Sequence, residues 1–221
     1  MDEQIRQAAV AAAHQLLLRY KAAYPGWTDS KTPVDDLVSW LGLHVESFHP
    51  NDYPRGTYGF LEPGEELIWL CRSLPESLRR FTLAHELGHV MLHSDTMHDR
   101  LWSRARGGTI SLPYAYQQLP ELSREDPCQH PDVQEEVVGQ SEQELLQEIL
   151  GIGQSYNPRG ERELAANIFA AELLMPLEQV RTLYLRGHVP PHQLAGLFAV
   201  SNAAMLNRLV GIAMEGRPQE G

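Results

Sequence analysis

The sequence has few cysteines, no long apolar run and fewer basic than acidic residues. Its two cysteines, Cys71 and Cys128, are far apart and neither belongs to a CxxC pair, which argues against a disulfide framework or a cysteine zinc site. No apolar run approaches the length of a membrane span, and residues 1–4 lack the basic region and apolar core of a secretory signal. We therefore expect a cytoplasmic protein with no membrane association.

The shortage of basic residues gives the chain a strongly acidic balance. It has 18 lysines and arginines against 29 aspartates and glutamates, a formal net charge of -11 and an isoelectric point near 5.3. A protein of this charge does not collect phosphates by electrostatic attraction, so direct DNA binding is not expected. An acidic surface instead suits a basic protein partner, such as a DNA-binding repressor.

One stretch, residues 81–93, contains the motif His-Glu-x-x-His on a predicted helix. Residues four apart on a helix point the same way, so His85 and His89 can offer two imidazole nitrogens to one ion. Glu86 lies next to them, where zinc peptidases place a general base. Gly88 is a poor helix former and predicts that another segment approaches the backbone closely. The motif predicts a Zn²⁺ site, with Mn²⁺ as the alternative ion.

A third protein ligand is missing from this motif. The extended HExxHxxGxxH pattern would need glycine at position 92 and a ligand at 95, but the chain has Leu92 and Asp95 there. His93 lies a further turn along the helix from His89, and three successive turns reach too far to surround one tetrahedral ion. A carboxylate from a downstream helix is the remaining route.

The predicted helix at 163–176 can supply that carboxylate. Glu163 and Asn167 share one face, so Glu163 could bind the metal while Asn167 holds a ligating histidine. Glu163 could also be an ordinary solvated carboxylate near a helix start. Glu172 competes as a ligand, although it lies within an apolar run and off the Glu163 face. Pro176 must end or kink this helix.

Two motifs, at residues 81–89 and 163–176, resemble the ImmA/IrrE family of zinc metallo-endopeptidases. The resemblance implies a gluzincin-like HExxH enzyme of bacterial or phage origin that cleaves a transcriptional repressor, often of the helix-turn-helix type. Cleavage would switch on a stress-response or mobile-element programme. By the same resemblance, His85, His89 and Glu163 would be the metal ligands and Glu86 the general base.

The stretch between the two motifs is longer than this family usually has. We interpret residues 94–160 as an insertion with one acidic helix at 133–150, serving either as a lid or exosite over the cleft or as a solvated loop. The reaction also needs a donor to the transition-state oxyanion, and the sequence leaves several candidates open. They are His93, His98, Tyr114, Tyr116 and Tyr156.

The remaining segments predict an α+β fold, in which a zincin-like helical domain with a small antiparallel sheet spans 1–176. Helices are predicted at 2–23 and from an N-capping Thr32 to 41, ended by Gly42, and a short strand around Val45 and Phe48. A hairpin is predicted from strands 57–61 and 67–71 about Pro63 and Gly64. One of these two strands is expected to hold a substrate peptide by β-augmentation.

Residues 177–221 are predicted to form a small helical domain similar to a helix-turn-helix. Helices are expected at 177–186, 191–198 and 201–214, the last capped by Ser201. Because the helix at 201–214 carries only one basic residue, Arg208, packing or partner binding is favoured over DNA recognition. The alternative to a peptidase is a regulator with a structural metal site that sequesters a repressor without cleaving it, or that binds DNA.

Overall fold

The computed structural model describes residues 3–28, 31–53, 57–62, 65–93 and 158–215. Several sequence predictions lie outside these ranges. They are the insertion up to residue 157 with its acidic helix, the hairpin turn at Pro63 and Gly64, Asp95, Cys128 and four oxyanion candidates, His98, Tyr114, Tyr116 and Tyr156.

The described residues form seven α-helices and three strands. In chain order they are α1 (Glu3–Ala23), α2 (Val34–Trp40), β1 (His44–Phe48), β2 (Gly59–Glu62), β3 (Leu67–Cys71), α3 (Glu76–His93), α4 (Pro158–Leu174), α5 (Leu177–Arg181), α6 (Pro191–Phe198) and α7 (Asn202–Glu215). A π-helical turn at Thr182–Arg186 continues α5. This is the helix-rich α+β fold that the sequence predicts.

The first two helices follow the sequence prediction except at one cap. Helix α1 buries one apolar side, which includes Ile5 and Leu16. Gly42, with a φ of 84°, ends the segment after α2 as predicted. The prediction that Thr32 caps α2 is wrong, because no side chain caps that helix. The Thr32 hydroxyl instead donates a 2.7 Å hydrogen bond to the carbonyl of Leu173. That carbonyl ends α4 and has no partner within its own helix, so Thr32 ties α4 to the start of α2.

The small sheet has the order β1-β3-β2 and is mixed, so the prediction of an antiparallel sheet is wrong for β1. Strands β2 and β3 form the predicted antiparallel hairpin, but β1 pairs parallel to β3. The two strands that are consecutive in the chain, β1 and β2, therefore lie on opposite sides of β3. An alternating apolar pattern is the same for either direction of pairing, which is why the sequence could not distinguish them.

Helices α3 and α4 pack against each other more extensively than any other pair of elements. Their crossing depends on Gly88, as predicted. A Cβ atom there would lie 3.0 Å from the Cα of Ala166 and 3.2 Å from a ring carbon of Phe169. Both distances are shorter than ordinary carbon contacts, so only glycine allows this approach. The crossing brings residues of the two sequence motifs together.

The C-terminal helices share the main hydrophobic core with the rest of the described chain. The Ser201 cap is confirmed, since its Oγ accepts a 3.1 Å hydrogen bond from the N–H of Ala204.

Among the described helices none is by itself long and apolar enough to cross a membrane. Helices α6 and α7 reach that length and apolarity only together, as a pair bent by 113°.

Glu172 joins α4 to both ends of the chain and is 1% exposed. Its carboxylate lies 2.6 Å from Nε2 of His14 on α1, accepts a hydrogen bond from Arg208 on α7 and accepts another from the N–H of Leu177. Arg208 also donates to the carbonyl of Met175. Because these partners occupy its carboxylate, Glu172 has a structural role and is not a metal ligand.

Candidate metal centre

The two histidines of the HExxH motif lie one helical turn apart on α3, with their rings turned toward each other. Their Nε2 atoms are 3.0 Å apart, and the rings meet nearly edge to face at 80°. His89 is buried, whereas the side chain of His85 keeps 15% of its surface exposed. The i, i+4 spacing thus directs two nitrogen donors to one point beside the helix.

Glu163 reaches the same point from α4. Its Oε2 lies 3.2 Å from Nε2 of His85, and its Oε1 lies 3.3 Å from Nε2 of His89. A third of this side chain is exposed, so the cluster is open to solvent on the Glu163 side. Helix α4 begins at Pro158, five residues before Glu163, so this residue lies inside the helix rather than at its start.

These three side chains fit a zinc ion. Ligand atoms of a tetrahedral zinc site are about 3.3 Å apart, because each lies about 2.0–2.1 Å from the metal. The observed separations of 3.0, 3.2 and 3.3 Å are close to that edge length. Three protein ligands with one open position are also the set that catalytic zinc sites use, whereas structural sites have four. The cluster can therefore hold a metal ion.

Each of the two histidines has a second partner on its far nitrogen. Nδ1 of His85 lies 2.8 Å from Oδ1 of Asn167, an amide oxygen that can only accept, so the imidazole donates. Nδ1 of His89 lies 3.0 Å from Nδ1 of His93. Donation from His89 to His93 leaves the Nε2 lone pairs of both ligand candidates facing each other. Such lone pairs repel unless a cation lies between them, as in metal sites whose histidines are oriented from behind.

The role of His93 is the part that sequence reasoning missed. Helical spacing excludes His93 as a ligand and leaves it as a candidate oxyanion donor, but the structure places its ring behind His89, away from the Nε2 side of the cluster. Burial lowers the pKa of His93 well below its usual value, and the neighbouring His89 and Arg162 lower it further. A neutral ring has an acceptor nitrogen for His89. The repeated four-residue spacing from His85 through His93 was the available signal.

The charges around the cluster favour a bound cation. Burial alone would lower the pKa of His85, but the hydrogen bond and charge of Glu163 outweigh it and raise that pKa to about 9. Burial alone would raise the pKa of Glu163, yet His89 and His85 hold it well below its usual value. A site that binds a proton this firmly stabilises positive charge, and a divalent ion would compete for the same nitrogens.

Glu86 is buried beside the histidines on α3 and is 6% exposed. Burial raises the pKa of its carboxyl group, and the charge of Glu163 adds to that effect, while His85 and His89 oppose it. A carboxylate whose pKa is shifted toward neutrality is better suited to proton transfer than an ordinary surface glutamate. Glu86 thus lies where the motif places a general base.

The site combines two converging histidines on one helix, a carboxylate from a second helix and a buried glutamate beside them. Such a combination is typical of a metallopeptidase. The family model described as Peptidase M78, IrrE N-terminal-like domain, matches residues 41–106 and 150–210, which is more than half of the chain. The chain belongs to this family, whose domain is of the zinc metallopeptidase type. The resemblance drawn from the two motifs is thereby confirmed. A search for relatives among curated proteins finds no match.

The two matched stretches contain all four predicted site residues. The first includes α3 with His85, Glu86 and His89, and the second includes Glu163 on α4. The interval 107–149 between them lies within the stretch interpreted as an insertion.

Proposed function

We propose that this protein is a zinc endopeptidase of the gluzincin type that cleaves a transcriptional repressor. The convergence of His85, His89 and Glu163 on one point, at separations that suit tetrahedral zinc, carries the proposal. A purely structural metal site would have no need for a buried carboxylate such as Glu86 beside it. Membership of a peptidase family supports the same reaction.

The chain's own residues supply the remaining parts of amide hydrolysis. A bound Zn²⁺ would supply Lewis-acid activation of the scissile carbonyl and of the attacking water. The carboxylate of Glu86 takes the proton of that water and later delivers it to the leaving nitrogen. Asn167 and His93 hold the two ligand histidines in the required tautomer from behind.

The sheet offers a place for the substrate backbone. Of the two strands proposed for β-augmentation, β3 is paired on both sides, whereas β2 pairs with β3 alone among the described strands. The N–H of Cys71 donates to the carbonyl of Tyr58, so the backbone groups of Tyr58, Phe60 and Glu62 face β3. The backbone groups of Gly59 and Leu61 face the other edge, which no described strand pairs with and which we call the open edge. A Cβ at Gly59 would lie 2.8 Å from the Thr82 methyl group, so this edge runs beside α3 one turn before His85.

The charge balance supports a basic protein as the substrate. A net charge of -11 attracts positively charged partners, and a helix-turn-helix repressor is such a partner. Direct DNA recognition by α7 is less favoured, because Arg208, its one basic residue, already binds Glu172 and the carbonyl of Met175. Repressor cleavage would switch on a stress-response or mobile-element programme.

The test follows the masses of this protein and of the helix-turn-helix repressor encoded beside its gene. We expect one pair of repressor fragments with Zn²⁺, and none with a chelator or with Glu86→Gln. Glu178→Gln is the matched control, because it makes the same charge change on an exposed residue of α5 and should leave cleavage intact. Cleavage that survives both the chelator and Glu86→Gln would contradict the proposal. An intact repressor in a stable equimolar complex would favour sequestration.

A further inference from the structure

The outer face of the sheet carries aromatic side chains that the metal centre does not use. The inner face packs on the protein core through Leu61, Ile68 and Leu70. The opposite alternation of the strands carries Phe48, Phe60 and Trp69, and the ring of Tyr53, from the chain after β1, packs against the first two. We call these four residues the aromatic face. Successive ring centroids lie 4.8 to 6.1 Å apart.

Three of the four rings of the aromatic face are accessible to solvent. Tyr53 is 42% exposed, and Phe60 and Trp69 are half-buried, whereas Phe48 is buried beneath its neighbours. The contacts among these rings account for their packing but leave ring surface toward solvent. Aromatic surface of this kind commonly contacts a partner side chain.

Two carboxylates flank these rings. Glu46 lies opposite Trp69 in the register of β1 and β3, and Phe60 lies opposite Trp69 on the other side. Glu62, two residues from Phe60 on β2, accepts a 2.9 Å hydrogen bond from the indole N–H of Trp69. Both glutamates are exposed, and the three strands contain no lysine or arginine. The face is therefore aromatic and acidic at once.

A peptide that pairs with the open edge of β2 would bring side chains to this face. Side chains directly opposite each other on adjacent strands lie on the same face of a sheet, so the peptide residue opposite Phe60 lies beside that ring. Glu62 is its diagonal neighbour and within reach of a long side chain. The next peptide residue along points to the other face, toward α3.

We propose that Phe60 and Glu62 form a specificity subsite for a lysine or arginine of the substrate, an inference that rests on the proposed peptidase function. A cation over the ring of Phe60 gains a cation–π contact while its charge reaches the carboxylate of Glu62. A substrate glutamate at the same position meets like charge instead. An exposed cation–π contact together with an exposed ion pair corresponds to a preference of about tenfold for Lys or Arg over Glu.

The test uses a pooled library of random 14-residue peptides incubated with the zinc-loaded protein. Fragments are sequenced by mass spectrometry and aligned on the cleaved bond. We expect one position at which Lys and Arg exceed Glu about tenfold, a preference that Glu62→Lys removes or reverses and Phe60→Leu reduces. The control is Glu65→Lys, which makes the same charge change on an exposed residue just before β3 and should leave the profile unchanged. A profile without a basic position, or one that Glu62→Lys does not alter, would overturn the inference while leaving peptidase activity established.

The absence of any cleavage would count against the proposed function, and a binding arm then tests the subsite separately. The same library is passed over immobilised Glu86→Gln protein, and the retained peptides are sequenced. Enrichment of Lys and Arg that is lost when Glu62→Lys is added would support the subsite without any turnover. Retained peptides with no such enrichment would overturn it.

Discussion

Replacing Gly88 with alanine should weaken zinc binding without touching any ligand. The new Cβ would lie 3.0 Å from the Cα of Ala166 and 3.1 Å from its carbonyl oxygen, against an ordinary carbon contact of about 3.5–4.0 Å. Because these are backbone atoms, α4 must move by roughly 0.5 Å or more, and Glu163 moves with it. Metal sites tolerate errors of only about 0.2 Å in ligand distance, so we expect zinc affinity to fall about 10–100-fold.

The same substitution should also destabilise the fold. Forcing a methyl group into a packed crossing costs about 1–3 kcal/mol, which outweighs the gain of up to about 1 kcal/mol in helix propensity. Gly211→Ala on α7 is the matched control, since its Cβ meets nothing within 4 Å and the change should be neutral or stabilising. Zinc affinity is measured by competition with a chromophoric chelator and stability by urea unfolding. If Gly88→Ala bound zinc like the wild type and gained stability like Gly211→Ala, the reasoning about the crossing would be refuted.

Three further predictions concern the metal centre and the contacts that Glu172 makes with His14 and Arg208. His93→Ala should lower zinc affinity about 10–100-fold, because His89 loses its orienting acceptor, and His93→Gln should recover part of it in the same chelator competition. Glu172→Ala should reduce the free energy of unfolding by up to about 3 kcal/mol in urea, since Arg208 loses its buried partner, while zinc affinity stays near the wild-type value. The hydrogen bond to Glu172 raises the pKa of His14, so its contribution to stability is full below the unfolded pKa of about 6.5 and is lost as pH rises through the folded pKa. Thermal unfolding should therefore show a larger fall in Tm as pH rises above about 6.5 in the wild type than in His14→Gln; an equal fall in both proteins would contradict this assignment.

The features that sequence analysis predicted correctly depend on local patterns. The four-residue spacing in 85–89 places two imidazoles on one side of any helix that contains it, and apolar periodicity predicts that helix. Gly88 also indicated the close crossing, because a glycine inside a helix needs a reason. The face shared by Glu163 and Asn167 correctly suggested that Asn167 would bond to a histidine of the motif.

The features that sequence analysis missed depend on contacts between distant parts of the chain. Thr32 has the residue type of a helix cap, but its hydroxyl finds a better partner in Leu173, 141 residues away. The parallel pairing of β1 with β3 is likewise decided by the path of the chain between the strands rather than by any residue within them. Helical spacing indicates only that His93 is too far along α3 to be a ligand, whereas its contact with the far nitrogen of His89 depends on the orientation of both rings.

The most direct test of the account measures zinc itself. X-ray absorption on the zinc-reconstituted protein should show one ion per chain, bound by two histidine nitrogens at about 2.0–2.1 Å and by a carboxylate oxygen. Glu163→Ala and His89→Ala should each disrupt that coordination. An unchanged zinc spectrum in both variants, or no zinc bound by the wild type, would contradict the assignment of this cluster as the metal centre.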